Sequence, residues 1–386
     1  MPSLTRRHLL TLGCSLAASP FVTPIALAQT GGQARLVVIV LRGAMDGLDV
    51  FRPIGDPDFR SLRPSLSDGG LPLDNFFALH PGLPGLHPLW AAGEMAFVPA
   101  TSTLYRDRRS HFDGQDHLEV GTAGTLPPTL ARDGWLNRLV ARLPRATART
   151  AFAVGHERMM VLDGAAPFTQ WAPGTELALV PQAELLLSYL FAQDPLFADA
   201  GLAALAMGAP PPLEDDMPLA PPGDTATLAA YVASQLRADT TIAAFSLNGW
   251  DTHRDQGRAL LPALTRLETA ILTLRAELGP LWEQTTVMAM TEFGRTAREN
   301  GARGTDHGTG GALVLAGGNL RGGRAIGDWP GLSEAALYDR RDLMPLSDIR
   351  AYPAWAMRDL FGLGQSEIER HVFASLDMGG NPGLFL

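Results

Sequence analysis

The run Arg35-Leu36-Val37-Val38-Ile39-Val40-Leu41 constrains the fold more than any other stretch of this chain. Its β-branched residues favour an extended backbone. It lacks the apolar–polar alternation of a strand with one wet face, so it fits a strand buried on both faces, as in a parallel sheet. A parallel partner needs a crossover connection, usually a helix. Further buried strands with helices between them are therefore expected, and the sequence supplies both. Glu94 to Ala100, Thr150 to Val154, Met159 to Leu162, Thr241 to Leu247, Thr285 to Met290 and Ala312 to Ala316 read as strands. Pro84 to Gly93, Trp135 to Leu143, Thr225 to Arg237, Gln256 to Leu278 and Ser347 to Leu360 carry apolar residues at i, i+3/i+4 spacing. This alternation predicts an α/β chain with a mainly parallel sheet sandwiched between helices.

A hydrophobic share of 46% with 18% charged residues is that of a chain folding around a core. Its 386 residues suffice for one large domain or two ordinary ones. The Pro-rich stretch 208–224 is followed soon by a core strand, so it reads as a loop insertion and not a linker. The Pro/Gly-rich tract around 53–88 reads as an excursion over the C-terminal edge of the sheet. The expectation is one domain over residues 29–386 with these two insertions.

Residues 1–28 read as an export signal. Thr5-Arg6-Arg7-His8-Leu9-Leu10 sets paired arginines ahead of an apolar run, and Ala26-Leu27-Ala28 offers small residues for cleavage. The run is too short, and too interrupted by Pro20 and Pro24, to be a stable membrane span. This predicts passage through the twin-arginine export machinery and a periplasmic or extracellular location. Cys14, the only cysteine, lies in this segment, so the mature chain would have no disulfide, thiolate nucleophile or Cys-ligated zinc. The formal charge of −9 argues against nucleic acid as a partner. Every basic residue is Arg, a bias that a GC-rich genome explains without any phosphate site.

Acids and histidines gather where the predicted strands end. Asp46 follows the first strand in Leu41-Arg42-Gly43-Ala44-Met45-Asp46-Gly47, poised to hold a cation or to cap a turn. Asp251 and His253 follow the run ending at Leu247, in Asn248-Gly249-Trp250-Asp251-Thr252-His253. An Asp–His pair suits zinc, manganese or iron. Glu292 follows Thr285–Met290, with Arg295 three residues on as an ion-pair partner or anion binder. His307 lies among glycines in Gly304-Thr305-Asp306-His307-Gly308, where Asp306 ligates or orients it. Ser110 and His111 lie in an Arg-rich segment, with Ser110 either a metal-activated nucleophile or a helix N-cap. His80, His87, His117, His156 and His371 read as structural.

Taken in order, these motifs resemble the alkaline phosphatase superfamily. More closely, they resemble an exported bacterial family known as domain of unknown function 1501. The closer likeness rests on the paired arginines, Leu41–Gly47, Arg109-Ser110-His111-Phe112, Gly249–His253, Thr291-Glu292-Phe293-Gly294-Arg295-Thr296 and Thr305-Asp306-His307-Gly308. The superfamily likeness implies two neighbouring divalent metals, with zinc, manganese and calcium not distinguished. It implies Asp46, Ser110 and Glu292 at one, with Ser110 the nucleophile, and Asp251, His253 and His307 at the other. His111 or Arg295 would then stabilise the transferring group. The superfamily typically has Asp-His where this chain has Glu292-Phe293, so the first site lacks an imidazole. The Asp251–His253 gap is also tighter than usual. A single-metal enzyme, a different metal and a catalytically lapsed member all stay open. The expected function is metal-dependent hydrolysis of phosphate or sulfate esters, on a small molecule or a polymer. The competing expectation is a non-catalytic envelope protein that keeps the fold for binding or assembly.

Overall fold

The computed structural model describes residues 34–106, 108–127, 132–155, 157–171 and 225–386. The export-signal reading of 1–28, the loop reading of 208–224 and His156 all lie outside the described residues. Among the described residues, no helix is long and apolar enough to cross a membrane.

The strands are β1 (Arg35–Leu41), β2 (Phe51–Arg52), β3 (Leu71–Pro72), β4 (Ala78–Leu79), β5 (Met95–Ser102) and β6 (Ala151–Val154). They continue with β7 (Thr169–Trp171), β8 (Ile242–Leu247), β9 (Thr285–Met290), β10 (Gly311–Ala316), β11 (Arg324–Ala325) and β12 (Ser347–Asp348). The main sheet has the order β11-β5-β10-β9-β1-β8-β6-β7, with β12 beside β5. From β9 to β7 every pairing is parallel. Only β10 runs against its neighbours β9 and β5. The sheet is therefore mixed and mostly parallel, as the sequence predicted.

Alternate residues of each strand feed opposite faces. Val37, Ile39 and Leu41 join Ala243, Phe245, Val287 and Val314 in one core, with the helices Thr225–Arg237 and Leu261–Leu278. Leu36, Val38 and Val40 join Met288, Leu313 and Leu315 in the other, with Trp135–Val140 and Ala351–Phe361. In Leu261–Leu278 the buried residues Leu264, Leu267, Ile271, Leu274 and Leu278 recur every three or four positions, which lays one stripe against the sheet.

Three sequence expectations change. Met159 to Leu162 is not a strand but a 3-10 turn at Met160–Leu162. The Val161 N–H donates to the Glu119 carboxylate, and β7 takes the sheet edge instead. The helix expected from Gln256 is interrupted at Leu260, because Pro262 belongs in a first turn, where no N–H is needed. Ser347 and Asp348 pair with β5, so the last long helix starts only at Ala351.

The topology explains where the loops meet. The C-terminal ends of β9, β1 and β8 lie side by side on one edge of the sheet. Because β10 is reversed, the residues that precede it arrive at that same edge: Val314 pairs with Ala289 and Ala316 with Val287. β5 is reversed again, with Gly311 opposite Thr101, so the segment leading to His111 also leaves from there. Ligands of open α/β sheets bind at this edge.

Beside this edge lies a buried polar network. Asp46 and Asp49 each hold one arginine, Arg63 at 2.6 Å and Arg52 at 2.7 Å. The Gln256 amide joins them, donating to Asp46 at 2.7 Å and to Asp49 at 2.8 Å. Next to Asp49, His80 is buried, and burial holds its imidazole down at about 4 despite the attraction of Asp49. Its Nδ1 accepts the Gly82 N–H at 2.9 Å, a bond that the neutral ring makes. The folded pKa lies below the unfolded value, so the neutral ring contributes its full stability above about pH 6.5. That contribution is lost as pH falls from about 6.5 to about 4, and it amounts to roughly 3 kcal/mol. Denaturant unfolding measured across this range should show the slope in the wild type and a flatter profile for His80→Gln.

Candidate metal centre

Four side chains from three loops meet at this edge. Asp251 and His253 follow β8, His307 precedes β10, and His111 opens the helix His111–Val120. Ligand atoms of His111, Asp251 and His307 lie within 4.8 Å of one another, a group able to hold a metal ion. His253 adjoins them, its Nε2 standing 3.0 Å from Asp251 Oδ1 and 3.0 Å from His307 Nε2. The His111 and His307 rings meet edge to face at 4.2 Å.

Each imidazole is held through Nδ1 by an oxygen. His111 Nδ1 lies 2.8 Å from Glu292 Oε1, His253 Nδ1 lies 3.1 Å from Asp306 Oδ1, and His307 Nδ1 lies 2.8 Å from the Arg109 carbonyl. A carbonyl or an ionised carboxylate only accepts, so each Nδ1 carries the proton. Each Nε2 then presents a lone pair, unless a second proton binds there. His111 Nε2 is buried and has no hydrogen-bond partner; Asp251 Oδ2, at 3.4 Å, is not aligned for one. Burial lowers the His111 pKa, but Glu292 and Asp251 more than offset this and raise it. Burial, with repulsion from His111 and Arg295, lowers that of His307. For Asp251, the hydrogen bond and charge of Arg295 overcome burial and hold the carboxyl low.

The backbone is bent to serve this arrangement. Gly43 and Ala44 both have positive φ, +115° and +59°, which turns two successive N–H groups onto Glu292 Oε1 at 3.0 and 3.1 Å. Such a nest binds anions. Arg109 also has positive φ, +51°, and it presents its carbonyl to His307. Strain of this kind persists where the surroundings over-determine it. Gly304 and Gly308 admit close backbone neighbours. A Cβ at Gly304 would lie 2.3 Å from the His253 carbonyl carbon, and one at Gly308 2.3 Å from that of Arg295.

Several sequence assignments are redistributed. Asp46 is fully internal. Burial raises its pKa, but Arg63 outweighs that and lowers it, and its oxygens serve Arg63, Gln256 and the Leu48 N–H. Glu292 receives the two backbone N–H groups, His111, Gln115 and Thr291, so it orients His111 and does not face the cluster as a ligand. Asp306 orients His253, where His307 was expected. Arg295 is not a free anion binder. Its buried guanidinium donates to the carbonyls of Gly43, Ala44, Trp250 and Thr305 and to Asp251 at 2.5 Å. Ser110 caps the helix His111–Val120, and its Oγ accepts the Asp113 N–H at a long 3.4 Å. Phe293 is no vacant ligand position. It packs beside His111 and His307, with ring centroids at 5.3 and 5.4 Å. His111, read in the sequence as a group acting on the substrate, supplies an imidazole to the cluster. The Gln115 contact and the Arg109 carbonyl were not anticipated at all.

The fold and the cluster define a mostly parallel α/β protein with a candidate metal centre at the strand ends. Residues 225–351 match the family model described as "Protein of unknown function (DUF1501)", the family to which the motifs pointed. Comparison with curated proteins gives no match. Among solved structures, the chain is similar to a protein in the alkaline phosphatase superfamily from Vibrio parahaemolyticus. The two are 12% identical over 94% of this chain and 76% of that one, with a TM-score of 0.40. It is also similar to the soluble domain of lipooligosaccharide phosphoethanolamine transferase A from Neisseria meningitidis, at 11% identity over 90% and 94% of the two chains, TM-score 0.41. A mutant of TAB5 alkaline phosphatase with Mg bound is 11% identical over 74% and 91%, TM-score 0.30. Identity and score are low in each case, and the chemistry of the site rests on its own residues.

Proposed function

We propose that the protein is an exported metal-dependent hydrolase of phosphate or sulfate esters, with one metal held by His111, His253, His307 and Asp251. One observation carries the metal reading. Three imidazoles with occupied Nδ1 atoms turn their Nε2 atoms toward Asp251, two of them only 3.0 Å apart. A positive charge belongs between them. A proton satisfies one nitrogen pair, whereas a metal satisfies all three rings and the carboxylate together. Cis ligands at about 2.1 Å from one metal are about 3–3.4 Å apart, which fits the 3.0–3.4 Å separations of Asp251 from each imidazole and of His253 from His307. Carboxylates or a carbonyl on the far side of each ring are the usual supports of metal-bound histidine. Imidazole and carboxylate without thiolate suit zinc and manganese better than calcium, which prefers oxygen.

Bound there, a divalent metal supplies Lewis-acid polarisation of an ester oxygen. Arg295 holds Asp251 and the loops after β1 and β8 in place. Ser110 lies between Arg109 and His111, which both touch the cluster. Among the described residues its half-buried hydroxyl accepts only one long hydrogen bond, so we assign it as the nucleophile. The substrate is a small-molecule or polymer ester, met outside the cytoplasm after twin-arginine export.

Hydrolysis of an aryl phosphate and an aryl sulfate by zinc- or manganese-loaded protein tests this reading. Ser110→Ala should lower turnover by on the order of 10³-fold or more. Loss of its cap costs only about 1 kcal/mol, so the variant stays folded. Unchanged turnover would remove Ser110 from the mechanism. A metal-loaded wild type inert to both esters would favour the non-catalytic reading.

A further inference from the structure

His111, Gln115 and Glu119 are four residues apart and so share one face of the helix His111–Val120. A single chain of contacts runs along that face. Arg42 NH1 lies 2.8 Å from Glu119 Oε1 and donates to Gln115 Oε1 at 2.7 Å. Gln115 Nε2 donates to Glu292 Oε1 at 3.2 Å, and Glu292 Oε1 holds His111 Nδ1 at 2.8 Å.

The direction of each link is forced. An arginine only donates, so Arg42 fixes which end of the Gln115 amide is the oxygen. That places the amide N–H₂ against Glu292. Flipped, Gln115 would set its oxygen against the Glu292 carboxylate. With backbone and amide donors converging on it, Glu292 Oε1 faces His111 Nδ1 as an acceptor, and that contact fixes the His111 tautomer with Nε2 facing the cluster. We infer that Gln115, oriented by Arg42, is a positioning residue for His111 and sets how strongly the centre binds metal. This inference rests on the metal reading proposed above.

The test is a cycle of zinc titrations by calorimetry on the full chain. Gln115→Met keeps the length of the side chain and removes both polar ends. It should weaken zinc binding by roughly 10–100-fold, the usual effect of losing a ligand's outer partner. In a His111→Ala background the same substitution should change zinc affinity less than about 2-fold, because the ligand it acts through is gone. The melting temperature of the metal-free protein reports any general damage. If Gln115→Met fails to fold, Gln115→Asn, one methylene too short to bridge Arg42 and Glu292, takes its place. Zinc binding as tight as wild type, or an equal loss with and without His111, overturns the relay while the centre stands. A wild type that binds no zinc overturns the centre and the relay together.

Discussion

Asp251→Ala should abolish tight metal binding, with a loss of affinity beyond about 100-fold, more than the loss of an outer partner produces. Among the described residues, Asp251 is the one carboxylate within reach of all three imidazoles, at 3.0 Å from His253 and 3.4 Å from both His111 and His307. Without it, three imidazole rings face one another with no carboxylate between them to offset a divalent charge. The fold should survive. The side chain is 45% exposed, and Arg295 keeps its four carbonyl partners. Zinc titration and thermal melting of the metal-free variant separate the two effects. Affinity within about threefold of the wild type would place the metal elsewhere.

Arg295→Met should have the largest effect on stability, roughly 3–5 kcal/mol. The guanidinium ties the loops after β1, β8 and β9 to Thr305 and is 1% exposed. Its removal strands buried carbonyls at Gly43, Ala44, Trp250 and Thr305 and leaves Asp251 without its cation. Denaturant unfolding measures this directly. A residue that bound the ester's anionic oxygens would give the opposite pattern, near-normal stability with a raised KM. That pattern would reinstate Arg295 as the catalytic group expected from the sequence.

What the sequence made legible follows from how local each signal is. β1 and β9 were placed to the residue because doubly buried strands need continuous apolar runs, and the helix Thr225–Arg237 because its apolar stripe has helical period. The helix His111–Val120 showed in the sequence only through Ser110 read as an N-cap, one of two readings, because its residues are mostly polar and show no such stripe. The reversal of β10 was not legible either, since a short apolar run carries no direction. That reversal brings His307 to Asp251. The acids and histidines were found by type, yet their division between cluster and support depends on pairings across more than 100 residues, such as His111 with Glu292. Asp46 shows the limit well. An acid after the first strand fits a ligand or a cap; Asp46 does cap the turn Gly47–Val50, and Arg63, arriving from the tract after β2, makes it a buried ion pair as well. Phe293 shows the reverse: it cannot ligate, and the imidazole that packs beside it is His111, from a distant segment.

On the proposed reading, one metal sits among His111, Asp251, His253 and His307. Crystals grown with zinc and measured at the zinc absorption edge test it most directly. One strong anomalous peak per chain is expected, about 2.0–2.2 Å from the three Nε2 atoms and an Asp251 oxygen. A peak instead among Asp46, Ser110 and Glu292, or none at these loops, would contradict it.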